Sequence, residues 1–437
     1  MTDKVKKALR KILKEYVVYP IAAVSISAAA AMLLLCLVYL LPTNKIELHI
    51  KSDFDIFYIH SEYGEHFVTN PDHILLSVVD DYSDLLMMSN CFARRPNDPF
   101  YKAALRATYI GCLTDPNDTL HGYNPIQGMI QYVIFNNNYT LADYSRYWNG
   151  YQVILIPLLT IFSYKNLLKF NIIVTSLTAA AAVWAVSHRF GKLYGAAYAA
   201  AIFTLYPFVI PVCLQYCAAA YVTLISTIVF CLNKKEDNIP KIFLFAGIIV
   251  SFLDLLSYPA LSAGVLSALL VLLYMGKKNN TFIISRLFVC LVMWGFGYGA
   301  MFLYKWLLDA LILGPQELMD ALVTARYRID GANYSLAYLS YILKELLERT
   351  ATRDVFVLSA AFAVICILSA IHSKGRRKYR LTQLWLLILP VMVMLGWFII
   401  MRNHTIQHTF FAIRNFSVIW FCLFAFAASF VQKENTQ

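Results

Sequence analysis

VVYPIAAVSISAAAAMLLLCLVYLL, residues 17–41, is an uncharged apolar run that is longer than the roughly 20 residues a helix needs to cross a bilayer. The residues before it carry six Lys or Arg, and the run lacks the short core and small-residue cleavage site of a secretory signal. These features indicate a retained first transmembrane helix. Because Lys and Arg stay on the cytoplasmic side, residues 1–16 are predicted to form a cytoplasmic basic tail.

The composition of the whole chain agrees with this start. Of its 437 residues, 59% are hydrophobic and only 14% are charged, which is too apolar for a soluble protein of this length. We therefore predict an all-α polytopic membrane protein. The formal net charge of +11 is spread in short clusters between apolar runs, which is the positive-inside pattern. Membrane lipids are expected as partners, and nucleic acid is not.

The later apolar runs predict the number of membrane crossings. Basic clusters separate alternate pairs of runs, so both termini are expected on the cytoplasmic side. The prediction is about ten transmembrane helices, with about nine of them in a bundle at residues 168–432 and a cytoplasmic tail at 433–437. The run at 151–164 is too short to cross and contains Pro157. The nine runs lie at residues 168–188, 193–210, 216–232, 240–257, 260–275, 283–312, 354–371, 382–400 and 410–431.

Residues 42–167, which we call the polar segment, are predicted to form a large first extracytoplasmic loop. Its helix-like stretches at 74–91 and 99–109 are short and amphipathic, so they are expected to lie on the membrane domain as interfacial helices. Cys91 and Cys112 both fall in this segment, and the sequence leaves open whether they pair. An aromatic string is typical of the belt at a membrane interface, and consists of Tyr139, Tyr144, Tyr147, Trp148 and Tyr151.

Three acids in the polar segment are candidate catalytic residues, namely Asp80, Asp81 and Asp84. If residues 74–91 are helical, Asp80 and Asp84 lie four residues apart on one face. Paired acids of this kind can share a proton, hold a metal ion or act as a general base. The alternatives are a solvated helix face or a helix N-cap, a position that Asp favours.

A second polar group lies near the C-terminus. His404 and His408 are four residues apart and Arg414 follows on a different part of the helix. The position after His404 is Thr405, so the HExxH zinc motif is absent, and a metal ion would need a third ligand such as Asp80 or Asp84. No cofactor is assigned, and a divalent metal ion is the one candidate. A phosphate facing the two histidines and Arg414 is the preferred interpretation, with an interfacial helix cap as the alternative.

Charged residues within or beside apolar runs are candidates for function. Asp254 is expected about one turn from the extracytoplasmic surface, and Lys305 lies deep within a run. Arg326 and Arg328 place positive charge where the positive-inside pattern predicts little. Lys305, Arg326 and Arg328 are therefore grouped with the phosphate-binding candidates.

A carboxylate cluster opposite a set of cations is suited to displacement at a sugar carbon that bears a phosphate leaving group. The carboxylate accepts the proton of the attacking hydroxyl, while the cations offset the charge that develops on the departing phosphate. The residues expected to bind the rest of the substrate are Asp254, Tyr258, Arg146, Trp148 and Tyr151.

The chain resembles the GT-C superfamily of membrane glycosyltransferases, which use polyprenyl-phosphate-linked sugars. The resemblance covers nearly the whole chain as architecture, and its more specific stretches are VDDYSDLLM at 79–87, RYWNGY at 146–151 with PLL at 157–159, YKW at 304–306, and NHTIQH at 403–408 with Arg414. In that superfamily an acid of the first loop is the usual base, which implies Asp80 or Asp84 here. The acids lie farther from the first helix than is usual, so Asp53 and Asp55 remain alternatives.

Together these expectations describe a multi-pass enzyme of the bacterial cytoplasmic membrane with its active site on the extracytoplasmic face. It would move a sugar from a polyprenyl-phosphate donor to a cell-surface glycan or glycolipid, with inversion at the sugar carbon. One alternative is a transporter or flippase of lipid-linked saccharides. Others are a polymerase that uses a lipid-diphosphate donor and a non-catalytic scaffold.

Overall fold

The computed structural model describes residues 7, 10, 12–60, 65–67, 74–113, 123–330, 334–372 and 381–431. Most of the expected cytoplasmic tail at 1–16 lies outside the described residues. So do the expected tail at 433–437 and the basic cluster at 374–380.

Seven helices among the described residues are long and apolar enough to cross a membrane. This confirms the predicted class, an all-α polytopic membrane protein. The seven are Lys14–Val38, Tyr164–Phe190, Leu214–Leu232, Asn280–Ile312, Arg353–Ile371, Thr382–Ile400 and Thr409–Val431.

Three other apolar runs are also helical but shorter, at Lys192–Phe203, Ile239–Leu253 and Ala260–Tyr274. Every residue of Ala260–Tyr274 is buried, because other helices surround it. A helix that is apolar on all sides belongs in the middle of a bundle. Helices of the bundle are α9 (Tyr164–Phe190), α10 (Lys192–Phe203), α11 (Leu214–Leu232), α12 (Ile239–Leu253), α13 (Ala260–Tyr274), α14 (Asn280–Ile312), α15 (Pro315–Asp330), α16 (Leu336–Thr350), α17 (Arg353–His372), α18 (Ile388–Ile400), α19 (Arg402–Gln407), α20 (Thr409–Ala412) and α21 (Ser417–Val431).

The polar segment follows the first membrane helix, α1 (Tyr19–Val38), and mixes short helices with five short strands in its described part. One two-stranded antiparallel sheet pairs β1 with β2, and a second sheet has the order β4-β3-β5. The helices are α2 (Asn44–Ser52), α3 (Asp55–His60), α4 (Ile74–Ser77), α5 (Asp81–Phe92), α6 (Phe100–Arg106), α7 (Pro125–Ile130) and α8 (Gln152–Leu159), and the strands are β1 (Glu65–Phe67), β2 (Val78–Asp80), β3 (Tyr109–Leu113), β4 (Tyr123–Asn124) and β5 (Thr140–Ala142).

The stretch 74–91 is not the single helix that its pattern predicts. Strand β2 interrupts it, with Asp80 opposite Glu65 in the antiparallel ladder. Asp80 then caps α5, since its side chain accepts a hydrogen bond from the Ser83 amide at 3.2 Å. The alternative interpretation of Asp80 as an N-cap is therefore confirmed, and the shared helix face with Asp84 is wrong.

The polar segment packs directly on the bundle, and its buried side chains share one apolar core with those of α1, α12 and α14. The Trp148 indole donates to the carbonyl of Met301 at 2.8 Å. The amide of Gly150 donates to the Phe252 carbonyl at 2.9 Å, and a Cβ on Gly150 would lie only 2.4 Å from that oxygen. Only glycine allows this close approach of the two backbones.

The aromatic string is not a membrane-interface belt, because most of it is buried inside the protein. Trp148 is fully buried, and Tyr147 and Tyr151 are nearly so. A belt residue needs exposure to the lipid headgroups. Helix α8, at eight residues, is far shorter than the roughly 20 needed for a crossing.

All nine cysteines are free, including Cys91 and Cys112. Cys91 is buried in α5, and burial raises the pKa of its thiol to about 12. The structure therefore contains neither a disulfide between these two residues nor a reactive thiolate at Cys91.

Candidate functional site

A cavity of about 850 Å³ lies between the polar segment and the helices α15 and α19. Its size is in the range of sites for small organic ligands. It is lined by charged, polar and aromatic side chains from elements that are far apart in sequence: Asp80, Tyr82, Ser83, Leu86, Arg95, Tyr109, Tyr123, Asn124, Leu141, Ala142, Asp143, Tyr144, Ser145, Arg146, Tyr147, Gln215, Leu255, Glu317, Asp320, Ala321, Val323, Thr324, Arg328, His404, His408, Phe410 and Phe411.

Asp80 is the one predicted catalytic acid that lines this cavity. It lies at the junction of β2 and α5, where the strand ladder and the cap fix its backbone and side chain. The residue is only 4% exposed, although it lines the cavity. A carboxylate held in this way can accept a proton from a bound hydroxyl.

Asp84 lies behind the cavity wall and is fully buried. It accepts hydrogen bonds from the Tyr164 hydroxyl at 2.9 Å and from the amides of Leu214 and Gln215 at 3.0 and 3.1 Å. It thus caps the start of α11 and contacts the start of α9. Burial raises the pKa of Asp84 to about 7, and the nearby charge of Asp80 adds to the shift.

Arg328 is one of three arginines in the cavity lining, and it is held by two histidines. Its Nη1 contacts Nδ1 of His404 at 3.3 Å and also Nε2 of His408. Because a guanidinium only donates, both ring nitrogens must accept and are unprotonated at those atoms. Nε2 of His404 then carries its proton and donates to the Leu256 carbonyl at 2.7 Å.

The electrostatics agree with these roles. Burial, the neighbouring His408 and the charge of Arg328 hold the pKa of His404 well below its usual value. His404 is therefore neutral, and Arg328 supplies the charge while the histidines orient it. No hydrogen-bond partner of Arg328 Nε is found among the described residues.

Tyrosines from the polar segment form another wall of the cavity. The Tyr109 ring lies edge-on to Tyr144 at 6.1 Å, and Tyr144 stacks on Tyr147 at 5.3 Å. The guanidinium of Arg146 lies over the Tyr144 ring, 4.4 Å from its centroid. Tyr123, at the edge of this wall, is 37% exposed.

Three of the expected phosphate ligands lie outside this cavity, namely the buried Lys305 and Arg414 and the exposed Arg326. Lys305 is fully buried and forms an ion pair with Asp309 one turn along α14, and it also donates to the Leu105 carbonyl at 3.0 Å. Arg414 lies over the Tyr216 ring at 3.6 Å and donates to the Leu76 carbonyl at 3.2 Å. Both cations therefore join the polar segment to the bundle and do not line the cavity.

The remaining predicted residues are also placed outside the cavity, except Arg146. Asp254 ends α12 and accepts from the Ser257 amide at 2.8 Å. Tyr258 is fully buried, with its hydroxyl on the Tyr216 carbonyl. The others not in the lining are Asp81 and Trp148, which are buried, Tyr151, whose hydroxyl donates to Asn90 at 3.1 Å, and Arg326, which is exposed.

Several cavity residues were not expected from the sequence. Asp143 accepts from Arg95 and Arg106, each at 2.9 Å, and Glu317 accepts from the Ser145 hydroxyl. The sequence feature that could have identified Asp143 as a site residue is its position inside the aromatic string. In the described part of the chain, no group of three or more His, Cys, Asp or Glu is placed to share a metal ion.

A second cavity, of about 690 Å³, is a groove with an almost wholly apolar lining. Its walls come from α1, α5, α8, α9, α11 and α12. It follows α11 from Leu214 to Val229, which is about 22 Å at 1.5 Å per residue. The two linings share no residue, but they come within one residue of each other on α5, at Leu86 and Met87, and at the start of α11, at Leu214 and Gln215.

Neither a family model, nor a curated protein, nor a solved structure matches this chain.

Proposed function

We propose that the protein is a membrane glycosyltransferase of the GT-C type that takes its sugar from a polyprenyl-phosphate donor. The acceptor would be a cell-surface glycan or glycolipid. One observation carries the proposal: the carboxylate of Asp80 and the guanidinium of Arg328, far apart in sequence, line the same cavity. A general base and a fixed cation are the two groups that sugar transfer from a phosphate requires.

Asp80 acts as the base in this proposal. A hydroxyl oxygen of the acceptor attacks the anomeric carbon of the donor sugar, and its proton passes to the Asp80 carboxylate. The bond between that carbon and the phosphate oxygen breaks, and its electron pair leaves with the polyprenyl phosphate. A single displacement of this kind inverts the configuration at the sugar carbon.

Arg328 binds the phosphate. Because His404 and His408 hold its guanidinium before the substrate arrives, no reorganisation is needed as charge develops on the leaving group. An arginine–phosphate hydrogen bond is charge-assisted and stronger than a neutral one. Lys305 and Arg414 have no part in this step, since both are engaged with protein groups.

The apolar groove supports a lipid-linked donor over a nucleotide sugar. A polyprenyl chain is long and apolar, and the groove offers an apolar path of about 22 Å along α11. It begins beside the cavity, so a donor with its chain in the groove can present its phosphate near the cavity.

The membrane topology in the proposal places the cavity on the extracytoplasmic face of a bacterial cytoplasmic membrane. Counting α10, α12 and α13 as crossings, together with the seven longer helices, gives about ten spans. The positive-inside rule then puts both termini in the cytoplasm and the polar segment outside.

The test is a transfer assay with the purified full chain in lipid nanodiscs. Synthetic polyprenyl-phosphate sugars and a bacterial cell-surface glycan extract are supplied, and released polyprenyl phosphate is measured by mass spectrometry. Asp80→Asn is expected to lower the rate by about 10²- to 10⁴-fold. Asn is as good an N-cap as Asp, so this variant should keep the structure.

Asp55→Asn tests the alternative base and is expected to keep the full rate, since Asp55 is an exposed acid outside the cavity lining and is paired with Lys165 at 3.1 Å. Full activity of Asp80→Asn would remove the assigned base. Movement of the intact lipid-linked sugar across the bilayer, with no bond cleavage, would instead identify a transporter.

A further inference from the structure

Arg146 lines the cavity and has no carboxylate partner among the described residues, whereas two other arginines of the polar segment have one. Arg95 and Arg106 of the same segment both pair with Asp143. The guanidinium of Arg146 instead lies over the rings of Tyr144 and Tyr147, 4.4 and 5.8 Å from their centroids. Its Nε finds no hydrogen-bond partner in the described chain.

The position of Arg146 in the cavity gives a functional meaning to its lack of a carboxylate partner among the described residues. Arg146 lines the cavity, where the acid Asp143 is already occupied by two arginines and Glu317 by Ser145. Arg146 is partly buried, and shielding a charge from water without a carboxylate partner is costly. A guanidinium kept in such a place can repay that cost by binding an anion in a charge-assisted, bidentate manner.

The surroundings of Arg146 indicate what kind of molecule carries the anion. The tyrosine wall presents flat apolar ring faces together with hydroxyl groups. A pyranose has the matching surfaces, with a face of C–H groups and an edge of hydroxyls. Tyr123, at the exposed edge of this wall, leaves an approach from water.

We propose that Arg146 and the tyrosine wall form the acceptor subsite, and that the acceptor unit bound there is an anionic sugar bearing a carboxylate or a phosphate. The name acceptor rests on the proposed glycosyl transfer, whereas the binding of an anionic sugar does not. Arg328 remains the ligand of the donor phosphate, so each anionic group has its own arginine.

The test measures binding alone, with the full chain in nanodiscs and no donor present. Three probes share one disaccharide core, whose last unit is glucose, glucuronic acid or glucose 6-phosphate. The two acidic probes are expected to bind about tenfold or more tightly than the neutral one, the gain from one charged hydrogen-bonded pair. Preference for only one of them tells whether a carboxylate or a phosphate is recognised.

Variants assign that preference to its residue. Arg146→Gln is expected to abolish the preference and leave weak binding of the neutral probe, while Tyr144→Leu should weaken all three probes. Arg146→Lys keeps the charge without the fork and should retain part of the preference. Arg326→Gln, which removes an exposed cation outside the cavity, is the matched control and should change nothing.

The inference is overturned if the wild-type protein binds acidic and neutral probes equally, a result that needs no variant to fold. It is also overturned if the preference survives Arg146→Gln or is lost in Arg328→Gln instead. Arg146-dependent binding without sugar transfer from any donor would keep the subsite and reject the glycosyltransferase. Sugar transfer without a preference for acidic sugars would keep the glycosyltransferase and reject the anionic subsite.

Discussion

Two arginines of α15, Arg326 and Arg328, show how position on a helix separates residues of the same chemistry. Both carry a positive charge beside the bundle, and both were expected to bind phosphate. The structure places Arg328 against His404 and His408 in the cavity, whereas Arg326 points away from it and is exposed. Residues two apart on a helix do not face the same way.

We therefore expect Arg328→Gln to lower sugar transfer by about 10²- to 10³-fold, the usual loss when one group that stabilises the transition-state charge is removed. Arg326→Gln should keep nearly the full rate. The measurement is the rate of polyprenyl-phosphate release by purified variants at saturating donor. Arg328→Lys keeps the positive charge, but its ammonium group cannot replace the planar guanidinium that the rings of His404 and His408 hold. Equal losses in the two Gln variants would contradict the assignment.

At the residue scale, the sequence could reveal pairs that are local along the chain, and it could not reveal pairs made by folding. Lys305 and Asp309 are four residues apart on α14, so their ion pair was open to prediction from helix spacing. Arg146 and Tyr144 are also close in sequence, so their contact was open to prediction as well. That no carboxylate of the described residues pairs with Arg146 depends on tertiary structure.

At the scale of helices and strands, the local hydrophobic pattern of a stretch can conflict with strand pairing to a distant part of the chain. The apolar runs of the bundle predicted helices, because a helix is one of the few structures that satisfies all backbone hydrogen bonds of an apolar run inside a bilayer. Residues 74–91 also have a helical pattern, yet the pairing of β2 with β1 breaks them at Asp80. A partner strand that lies outside the helix-like stretch leaves no mark in its periodicity.

Asp84 has an element-scale role, as the cap of α11. The two amides that it binds are those of Leu214 and Gln215, the first residues of that helix, which lack partners within the helix. The carboxylate also holds the Tyr164 hydroxyl at the start of α9. One side chain of α5 thus fixes the beginnings of two membrane helices.

The stability of the protein should depend on pH through Asp84. Burial raises the pKa of Asp84 to about 7 in the folded chain, above the ordinary Asp value of 3.8. Between these values the folded state holds a proton that the unfolded state releases, so this contribution to stability falls as pH rises from about 4 to about 7. An Asn at position 84 cannot ionise, so the stability of the Asp84→Asn variant does not fall with pH in this way.

The melting temperature of Asp84→Asn, relative to wild type, is accordingly expected to rise between pH 5 and pH 8. Thermal unfolding in detergent measures it, with Asp237→Asn, a change at an exposed acid, as the control for loss of one negative charge. Sugar transfer by Asp84→Asn should persist, because Asp84 does not line the cavity. A difference in melting temperature that stays constant with pH would show that Asp84 does not change its protonation in the folded chain over this range, and would contradict the prediction.

The whole molecule combines a polar cavity and an apolar groove, whose linings come within one residue of each other on α5 and at the start of α11. Leu86 and Gln215 line the cavity, and the residues next to them in sequence line the groove. The proposed donor has the same two-part chemistry, with a charged phosphate sugar and a long apolar chain. A structure that separates the two environments in this way can bind both parts of one molecule.

Two substitutions on α11 test whether the chain of the donor lies in this groove. Ala218 lines it near the cavity and Val229 lines it near the far end, roughly 16 Å farther along the helix. Ala218→Trp should impair transfer from donors of any chain length, because the new ring blocks the groove close to the phosphate. Val229→Trp should impair only donors whose chains are long enough to reach it, and leave a donor of two isoprene units unaffected.

The measurement is kcat/KM for a long-chain and a short-chain synthetic donor with each variant. Ala29→Trp, on the exposed face of α1, places the same large ring outside the groove and should affect neither donor. A dependence on chain length that appears with Val229→Trp and not with Ala29→Trp would place the lipid chain in the groove. If Val229→Trp leaves both donors unaffected, or lowers both equally, the lipid chain lies elsewhere on the bundle and the groove has another occupant.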